Sequence, residues 1–483
     1  MPTPTPALQP IRPAYHIRLL EDPQLAMLRE GTLGILERVG VHCPSQRARS
    51  IYHEHGAAVD DGTGIVRLPP ALVLEAMAHA PRHFTLGGRR PEYDAVLDGS
   101  AMYVATDGCG TETIDFVSRE RRASCKEDVA RMARVADALS SVGFYWPIVS
   151  AQDHPRMAPL HELEASFLST LKHVQTETVM DEHMARRAVE MARVLAGDEA
   201  TLRSRPPLSS LVCTIAPLAQ DAGGMESALV FAEAGLPVGF MSMANAGSTG
   251  PGSIAGTLVA ADAEIVAALA LIQLAFPGAP VYHSMMPGVM HPRTGAYLGT
   301  AFEGDLFYPL GVELAHAWGV PSLAGCFGTD ALVPGWQAAA EAPASLLLCA
   351  LCGAETGSGM GLLESCTLLY PEELVLDTDM YHRVRILAEG IDLRQETLAL
   401  DVIAEVGPRG QFLRHKHTRD SLRRLRFSEL TAQLSERGGY REPVEVARQK
   451  VGWILEHHHP EPLPETQRRE LHKIVVSAEA EHP

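Results

Sequence analysis

The stretch SSLVCTIAPLAQDAGGMESALVFAEAGLPVGFMSM, residues 209–243, contains one complete strand–helix–strand unit. Its two ends, residues 209–216 and 237–243, are short apolar runs bounded by proline or polar residues, which is typical of buried strands. Between them, residues 223–235 form an apolar segment that ends at a glycine, as helices often do. Two strands joined by a helix predict a parallel pair with a right-handed crossover.

The same unit recurs along the chain from residue 101 onward. An amphipathic, helix-like segment follows each of the first seven strand-like runs. Eight parallel strands that alternate with helices close into a (β/α)8 barrel, and this α/β fold is our prediction. An open, doubly wound sheet fits the same alternation and stays the alternative. The predicted strands are 101–106, 143–149, 173–180, 209–216, 237–243, 279–284, 320–325 and 354–358.

Helical periodicity also predicts helical regions before and after the barrel in the sequence. Residues 1–100 read as an N-terminal helical preface packed on a barrel that spans residues 101–370. Residues 371–483 read as a charged, mostly helical C-terminal region, with helix-like stretches at 414–434 and 444–458. We expect this region to pack against the outside of the barrel.

The charge balance limits the classes of partner. The chain has 41 basic and 59 acidic residues and a formal net charge of -18, which argues against binding to nucleic acid or to an anionic membrane. The segment Met1 to Pro10 has no apolar core of a signal peptide, and we find no apolar run long enough to span a bilayer. These features predict a cytoplasmic protein and favour a cationic ligand.

The eight cysteines are scattered, so reduced thiols are expected rather than a disulfide framework. Cys349 and Cys352 form a C-x-x-C inside a helix-like segment, without a second ligand pair at zinc spacing. We therefore predict buried thiols there and no metal site in this chain.

Candidate site residues follow from the barrel prediction, because reactive residues lie on the loops after the carboxyl ends of the strands. Asp107 follows the first strand, and the glycines beside it let the backbone approach a ligand closely. A plain structural role is also open for each polar residue at these positions, such as a turn contact or an exposed helix carboxylate. The further candidates are His154, Asn245, His283, Phe327, Thr329, Asp330, Trp336 and Glu341.

Aromatic residues near the same strand ends would suit a quaternary ammonium group, which aromatic faces attract through cation–π interactions. Trp336, in the loop 333–337, is the aromatic residue that we expect to face the pocket. The segment Asp181-Glu182-His183 is a near miss to the D-x-H-x-x-G signature that supplies a histidine to cobalamin, since Arg186 stands at the glycine position. The chain is therefore not expected to carry its own corrinoid.

Several blocks of sequence are distinctive in combination. They are NAGSTGPGSIAGTL (245–258), PGAPV (277–281), RTGA (293–296), GTDA (328–331) and QAAAE (337–341). Together they resemble the trimethylamine methyltransferase family, and the resemblance runs from about residue 20 to residue 475.

The resemblance implies a (β/α)8 barrel that transfers a methyl group from a methylated amine to the Co(I) form of a separate corrinoid protein. The corrinoid, which becomes methylcobalamin, is then supplied by the partner, and this chain binds no cofactor of its own. Family members that act on trimethylamine carry pyrrolysine near the end of the seventh strand, where this chain has the standard residues Cys326 to Asp330. The resemblance thus implies the branch without pyrrolysine, which acts on quaternary amines such as glycine betaine.

On this hypothesis Asp107 and Glu341 stabilise the cation, while Trp336 and Phe327 wall it. His283 or His154 binds a substrate carboxylate. Asn245, Thr329 and Asp330 complete the substrate contacts. A homo-oligomer is expected only because barrel enzymes commonly form one.

Two other functions fit the same residues. His283 and Cys326 end adjacent predicted strands, so a metal-dependent methyltransferase of the same fold is one alternative. A homologue that binds an amine without turning it over is the other. Metal analysis and a methyl-transfer assay distinguish them.

Overall fold

The computed structural model describes residues 3–431 and 441–481. Eight strands form one parallel sheet, and each lies inside or next to one of the predicted strand segments. In chain order the strands are Tyr103–Thr106, Val142–Phe144, Val174–Thr176, Leu208–Cys213, Val238–Ser242, Val281–Met285, Ser322–Ala324 and Thr356–Met360.

The sheet closes on itself. Each strand pairs with the strand that precedes or follows it in the barrel, and the eighth strand pairs with the first. The second and third strands are joined just beyond their ends, where the Tyr145 amide donates to the His173 carbonyl at 2.8 Å and the Gln175 amide donates to the Tyr145 carbonyl at 2.9 Å. The predicted (β/α)8 barrel is therefore confirmed, and an open sheet is excluded.

Helices surround this barrel on the outside. The seven helices between the strands all fall on predicted segments, and an additional short helix, Glu199–Ser204, precedes the fourth strand. The helix Glu373–Glu389, which we assigned to the C-terminal region, contacts both the eighth strand and the helix before it and so completes the ring. The helices are Lys126–Ala138, Ala158–Ser169, Glu182–Ala196, Ala222–Glu233, Ile254–Ala275, Phe307–Trp318 and Trp336–Leu351.

The N-terminal region is helical as predicted, with the helices Asp22–Arg38, Gln46–Glu54 and Pro70–Ala78. It also contains short strands that the helical prediction missed. Val41–His42, Ala58–Asp60 and Ile65–Arg67 form a small antiparallel sheet, and Phe84–Leu86 pairs with Ala95–Leu97 in a hairpin. The Gly87 amide next to this hairpin donates to the Pro206 carbonyl at 2.8 Å, just before the fourth strand, so the hairpin lies at the amino end of the barrel.

The helix Ile254–Ala275 corrects one expectation about apolar runs. Among the described residues it is the one helix whose length and composition would allow it to cross a membrane, and 78% of its most apolar window is buried. It packs between the barrel strands and the N-terminal helices, with Asp22–Arg38 and Pro70–Ala78 as neighbours. Its apolar character is therefore that of a core helix covered on several sides.

The C-terminal region is helical but more broken than predicted. The segment 414–434 gives only the helix Lys416–Leu422, and residues 432–434 of the prediction lie outside the described residues. Its many basic side chains leave no continuous apolar stripe that would bury a long helix. The remaining helices after the barrel are Gln395–Leu398, Leu400–Val406, Pro443–His457 and Glu465–Glu481.

Two small sheets lie beyond the carboxyl ends of the barrel strands. One joins Asn245–Ala246, Gly288–Met290 and Tyr297–Leu298, and the other joins Glu112–Ile114, Arg121–Ala123, Leu362–Leu363 and Leu368–Leu369. They are built from loops that follow the first, fifth, sixth and eighth strands. These loops narrow the mouth of the barrel at the end where (β/α)8 enzymes hold their active sites.

Candidate active site

Asp107 lies at the carboxyl end of the first strand, as predicted, and is 1% exposed. Its backbone amide donates to the Met360 carbonyl at 2.9 Å, which fixes the residue beside the eighth strand. One carboxylate oxygen accepts from the Gly108 amide at 3.1 Å, while Oδ2 is buried and has no hydrogen-bond partner. Burial raises the pKa of Asp107 to about 6, because the charged form is poorly solvated there.

Glu177 is a second carboxylate at this end of the barrel, directly after the third strand. The Cys213 thiol donates to its Oε1 at 3.2 Å, and its Oε2 is buried without a partner. Burial raises the pKa of Glu177 to about 7, and the charges of Asp107 and Glu162 act in the same direction. Sequence reasoning missed this residue, although an acid in the otherwise uncharged stretch HVQTETVM at a strand end was a usable signal.

Three thiols accompany the two carboxylates. Cys366 and Cys109 both lie close enough to Asp107 and Glu177 for the carboxylate charges to add to the effect of burial and raise the pKa values of the two thiols. Burial raises the pKa values of Cys109, Cys213 and Cys366 well above the ordinary range of thiols, so these groups stay neutral donors. All three keep partial solvent access, and so does Glu177. These poorly solvated but partly accessible groups gather at the carboxyl ends of the barrel strands, and we call the space between them the hollow.

Glu162 supports this hollow from behind. Its Oε1 accepts from the Ser150 hydroxyl at 2.7 Å and from the Ala151 amide at 3.2 Å, and its Oε2 accepts from the Thr178 hydroxyl at 2.5 Å. Both oxygens are therefore used within the protein. Glu162 holds the loops after the second and third strands together rather than facing a ligand.

Further buried polar atoms at this end of the barrel have no partner in the protein. Besides Asp107 and Glu177, they are the indole nitrogen of Trp146, the hydroxyl of Ser358 and Oδ1 of Asn245. Buried polar groups are normally hydrogen-bonded, and those that are not commonly mark a site for a ligand or ordered water. Asn245 thus lies at the carboxyl end of the fifth strand as predicted, with a free side-chain oxygen.

The loop after the seventh strand is braced by Glu341. The Thr329 hydroxyl donates to Glu341 Oε2 at 2.5 Å, and the Asp330 amide donates to the same oxygen at 3.0 Å. Gln337 donates to the other oxygen at 2.8 Å. Glu341 and Thr329 therefore satisfy each other, and this contact accounts for both side chains without a ligand.

Asp330 connects three loops of the mouth. Its carboxylate accepts from the Thr300 amide at 3.0 Å and from the Ser365 hydroxyl at 2.5 Å. Tyr297 lies on the strand just before this contact, and its hydroxyl donates to the Met286 carbonyl at 2.8 Å. Burial raises the pKa of the Tyr297 phenol, and the nearby charges of Cys366 and Asp107 raise it further. Asp330 thus positions the loop that brings an aromatic ring toward Asp107.

The two aromatic residues predicted to wall the pocket differ in their positions. Phe327 is buried at the end of the seventh strand with a φ of 81°, a left-handed conformation that is uncommon for a bulky residue. Gly359 of the eighth strand allows this approach, since a Cβ there would lie 2.5 Å from the Cys326 carbonyl oxygen. Trp336 is 86% exposed at the start of its helix, so the expectation that it faces the pocket is wrong for the isolated chain.

His283 does not belong to the mouth. Its neighbour Tyr282 points into the barrel, where the phenol donates to Gln175 at 2.9 Å, and alternation along the strand turns His283 outward. His283 Nε2 lies 2.9 Å from Asp262 on the helix Ile254–Ala275, and Asp262 also accepts from Trp318 and Thr32. The expected substrate contact of His283 is replaced by a buried structural pair.

We expect His283→Ala to lower the free energy of unfolding by roughly 2–4 kcal/mol, because it leaves the Asp262 carboxylate buried with one partner fewer. Chemical denaturation measures this change. Calorimetric binding of amines at a temperature where the variant is folded should match that of the parent chain. A loss of amine affinity without a loss of stability would return His283 to the site.

His154 lies outside the mouth as well. Its ring stacks on His161 at a centroid distance of 3.6 Å, and both rings face Glu479 of the C-terminal helix. The contact is made by a helix more than three hundred residues away in sequence, which spacing along the chain does not reveal. A substrate carboxylate therefore does not meet His154 at the mouth.

The alternative of a metal site between His283 and Cys326 loses its geometric basis. His283 faces Asp262, whereas Cys326 is buried against Cys349. Cys349 is buried as predicted, Cys352 is partly exposed, and all eight cysteines are free thiols.

The family model described as "Trimethylamine methyltransferase (MTTB)" matches residues 3–483. The chain belongs to the trimethylamine methyltransferase family. It is 32% identical over 467 residues to a trimethylamine methyltransferase of Desulfitobacterium hafniense, covering 95% of this chain and 94% of that protein. It is 28% identical to the trimethylamine methyltransferase of Methanosarcina barkeri, covering 96% of both chains. It is also 29% identical to the glycine betaine methyltransferase of another D. hafniense strain, covering 89% and 88%.

Among solved structures, this chain is similar to the monomethylamine methyltransferase of M. barkeri, with a TM-score of 0.49 and 13% identity. The similarity covers 89% of this chain and 91% of that one. The predicted resemblance to the family is thereby confirmed by the sequence comparisons, and the barrel is confirmed by the strand pairing described above. The chain is thus a methyltransferase by family.

Proposed function

We propose that this methyltransferase binds a quaternary or tertiary methylated amine between Asp107 and Glu177 and transfers one methyl group to the Co(I) form of a separate corrinoid protein. The observation that carries the proposal is the pair of buried carboxylates, each with one oxygen that has no partner in the protein. The curated relatives, by their names, act on trimethylamine and on glycine betaine. These substrates share a methylated nitrogen that can carry a positive charge, and a hollow lined by carboxylates would bind such a group.

The chemistry of the hollow suits such a cation. A quaternary nitrogen has no N–H to donate, so it is recognised by negative charge and by polarisable or aromatic surfaces. Asp107 and Glu177 supply charge, and the ring of Tyr297 lies near Asp107. A cation between the carboxylates would stabilise their charged forms and lower both pKa values. The cost of keeping the free carboxylates buried would then be offset by binding.

The protein's own part in the reaction is to bind, orient and exclude water. The positive charge leaves the nitrogen as the methyl group departs, so the carboxylates favour the substrate over the transition state and contribute affinity more than rate. A bound corrinoid would supply the nucleophile, Co(I), for in-line displacement. Loops fixed by Glu162, Asp330 and Glu341 hold the cation so that one methyl group faces outward, and this orientation is the main contribution to rate.

The corrinoid is proposed to come from a partner because the near-miss segment at Asp181 has another use. The Asp181 carboxylate accepts from the Met184 amide at 2.8 Å and caps the helix Glu182–Ala196. Apolar side chains are instead exposed on the loops around the mouth. This rim patch consists of Phe302, Leu332, Val333 and Trp336, with Phe302 94% exposed. We infer that the partner docks on the rim patch, since several large apolar side chains exposed on loops at one end of the barrel suit an interaction site.

We propose that the reaction takes place in the cytoplasm, because a Co(I) corrinoid needs a reducing environment and the eight thiols are free. A homo-oligomer is proposed only by analogy with other barrel enzymes, and light scattering would determine it.

The charge of the hollow favours a substrate with a net positive charge. The two histidines expected to bind a substrate carboxylate both lie elsewhere, and Asp107, Glu162 and Glu177 would repel one. We therefore propose that simple quaternary amines such as tetramethylammonium or choline bind more tightly than the zwitterion glycine betaine. Titration calorimetry with these three compounds and trimethylamine tests the order. Tighter binding of glycine betaine would contradict this choice of substrate while leaving the methylated-amine site in place.

Amine binding should depend on pH through the protein. Tetramethylammonium does not titrate, whereas Asp107 and Glu177 have pKa values raised to about 6 and about 7. The cation binds the deprotonated forms, so we expect its affinity to rise between pH 5 and pH 8, by up to about tenfold per pH unit for each proton that must leave. Calorimetry at fixed ionic strength measures this slope, and a flat profile would contradict it.

The contribution of these two carboxyl groups to the free energy of unfolding of the ligand-free protein should fall as the pH rises, whereas the amine affinity rises. A carboxyl group whose pKa is higher in the folded chain than in the unfolded chain stabilises the fold at low pH, and this contribution is lost as the pH rises through the folded value. For Asp107 and Glu177 the loss falls between about pH 4 and pH 7. Tetramethylammonium at pH 8 should restore part of it as a higher melting temperature.

A further inference from the structure

A second group of ligand-type side chains lies away from the barrel mouth. His154 follows the second strand, His161 lies in the helix Ala158–Ser169, and Glu479 lies in the C-terminal helix Glu465–Glu481. One potential ligand atom from each residue lies within 4.8 Å of the others. Among the described residues this is the one group of three or more histidine, cysteine or acidic side chains with such spacing.

The orientation of the three side chains brings their donor atoms together. Glu479 Oε1 lies 2.8 Å from His161 Nε2 and 3.8 Å from His154 Nδ1. The two imidazoles stack face to face, with 15° between their planes and 3.6 Å between their centroids, so the His154 side chain must rotate before both rings can bind one ion in their own planes. The other ring nitrogen of His154 lies 3.7 Å from Oδ2 of Asp153, which is too far for a hydrogen bond but near enough for this carboxylate to become the outer partner of a metal-bound histidine.

We propose that His154, His161 and Glu479 bind a divalent transition-metal ion of the zinc type, which fastens the C-terminal helix to the barrel. Two imidazole nitrogens and one carboxylate oxygen are a ligand set that zinc uses, with water in the fourth position. His161 is largely buried, whereas His154 and Glu479 are partly exposed, so an ion reaches the site from solvent. The inference does not depend on the proposed function at the mouth.

The surroundings contain one group that opposes the ion. Lys126 Nζ lies 2.9 Å from His161 Nδ1 and also contacts Glu164, which in turn lies 3.1 Å from His472. A metal ion binds the neutral form of imidazole through one ring nitrogen. Binding at Nε2 places the ring proton on Nδ1, and Lys126 then keeps Glu164 as its partner. Removing the Lys126 charge should therefore raise metal affinity.

The ion would join parts of the chain that are far apart in sequence. The C-terminal helix packs on the helices Ala158–Ser169 and Glu182–Ala196. The next residue after His161 is Glu162, which holds two loops of the mouth. Metal binding should thus slow amide exchange in the C-terminal helix and raise the melting temperature of the full-length chain.

Titration of the full-length chain with Co²⁺ and Zn²⁺ tests the proposal. We expect one site, with visible Co²⁺ absorption typical of four-coordinate nitrogen and oxygen ligands and without the near-ultraviolet thiolate band that the cysteines would give. His161→Ala and Glu479→Gln should each weaken binding at least tenfold, and Lys126→Met should strengthen it. His472→Ala, which removes a neighbouring histidine outside the group, is the matched control.

Each other outcome overturns the proposal. Binding that is unchanged in His161→Ala and Glu479→Gln means that metal binds elsewhere on the chain. A thiolate band assigns the ion to the cysteines, and no saturable binding up to about 100 times the protein concentration means that the group is only a hydrogen-bonded contact. Tetramethylammonium affinity, measured in parallel, should be the same for all four variants, so failure here is distinguishable from failure of the proposed function.

Discussion

Asp107→Asn is expected to weaken tetramethylammonium binding by about 30-fold or more. Removing one partner of a buried charge pair typically costs about 2–5 kcal/mol, and each 1.4 kcal/mol corresponds to about a tenfold change in affinity. The substitution keeps the shape of the side chain and removes its charge. It should also make the amine affinity less dependent on pH, since one of the two groups that titrate near neutral pH is lost. Calorimetry at pH 8 measures both effects.

Glu303→Gln is the matched control, because Glu303 is an exposed carboxylate on the loop after the sixth strand. It removes the same charge from the same end of the barrel without touching the hollow. We expect a change of less than about threefold, as is usual for screened surface charges. If Asp107→Asn had no larger effect than Glu303→Gln, Asp107 would not contact the cation.

Replacing Phe302 or Trp336 with Asp is expected to lower kcat/KM for the corrinoid protein by about 30-fold or more. Large exposed apolar side chains at the centre of an interface often contribute 2 kcal/mol or more each, and a charge there adds a desolvation cost. The amine affinity should not change, because both side chains point into solvent outside the hollow. Steady-state methyl transfer with the corrinoid protein as the varied substrate measures the effect.

Trp453→Asp is a suitable control for Trp336→Asp. Trp453 is also an exposed tryptophan, but it lies on the helix Pro443–His457 away from the strand-end loops. It should leave kcat/KM unchanged within about twofold. Equal losses in both variants would show a general effect of the charge rather than docking at the rim patch.

The barrel could be predicted because its signals are local. Each strand is a short buried run followed by a turn and an amphipathic helix, and no knowledge of distant contacts is needed to recognise that pattern. The closure between Tyr145 and Val174 could not be read in the same way, since pairing between strands is a property of the folded sheet. Closure of the barrel was instead predicted from the count of eight strand–helix units and from the family resemblance.

The site was predicted only in part, for reasons that particular residues make clear. The position of Asp107 at the mouth was predicted correctly, because the residue directly follows a strand and precedes a glycine. His283 was misplaced because the strand prediction did not fix which alternate residues face the barrel, and Tyr282 takes the inward position. Glu177 was overlooked among the threonines of its strand segment. His154 contacts Glu479 of the C-terminal helix instead of the mouth, and sequence spacing does not reveal a contact between such distant residues.

Methyl transfer itself tests the central claim most directly. The purified chain would be mixed under anaerobic conditions with a reduced corrinoid protein and an excess of tetramethylammonium, choline, glycine betaine or trimethylamine, and the Co(I) absorbance followed. We predict that at least one quaternary amine removes the Co(I) signal and yields one demethylated amine per corrinoid. With the amine below the dissociation constant of the parent chain, Asp107→Asn should be slower by about 30-fold or more, because the loss of affinity then appears in the rate. Calorimetric binding of these amines without any loss of Co(I) would contradict methyl transfer and identify the chain as an amine-binding homologue.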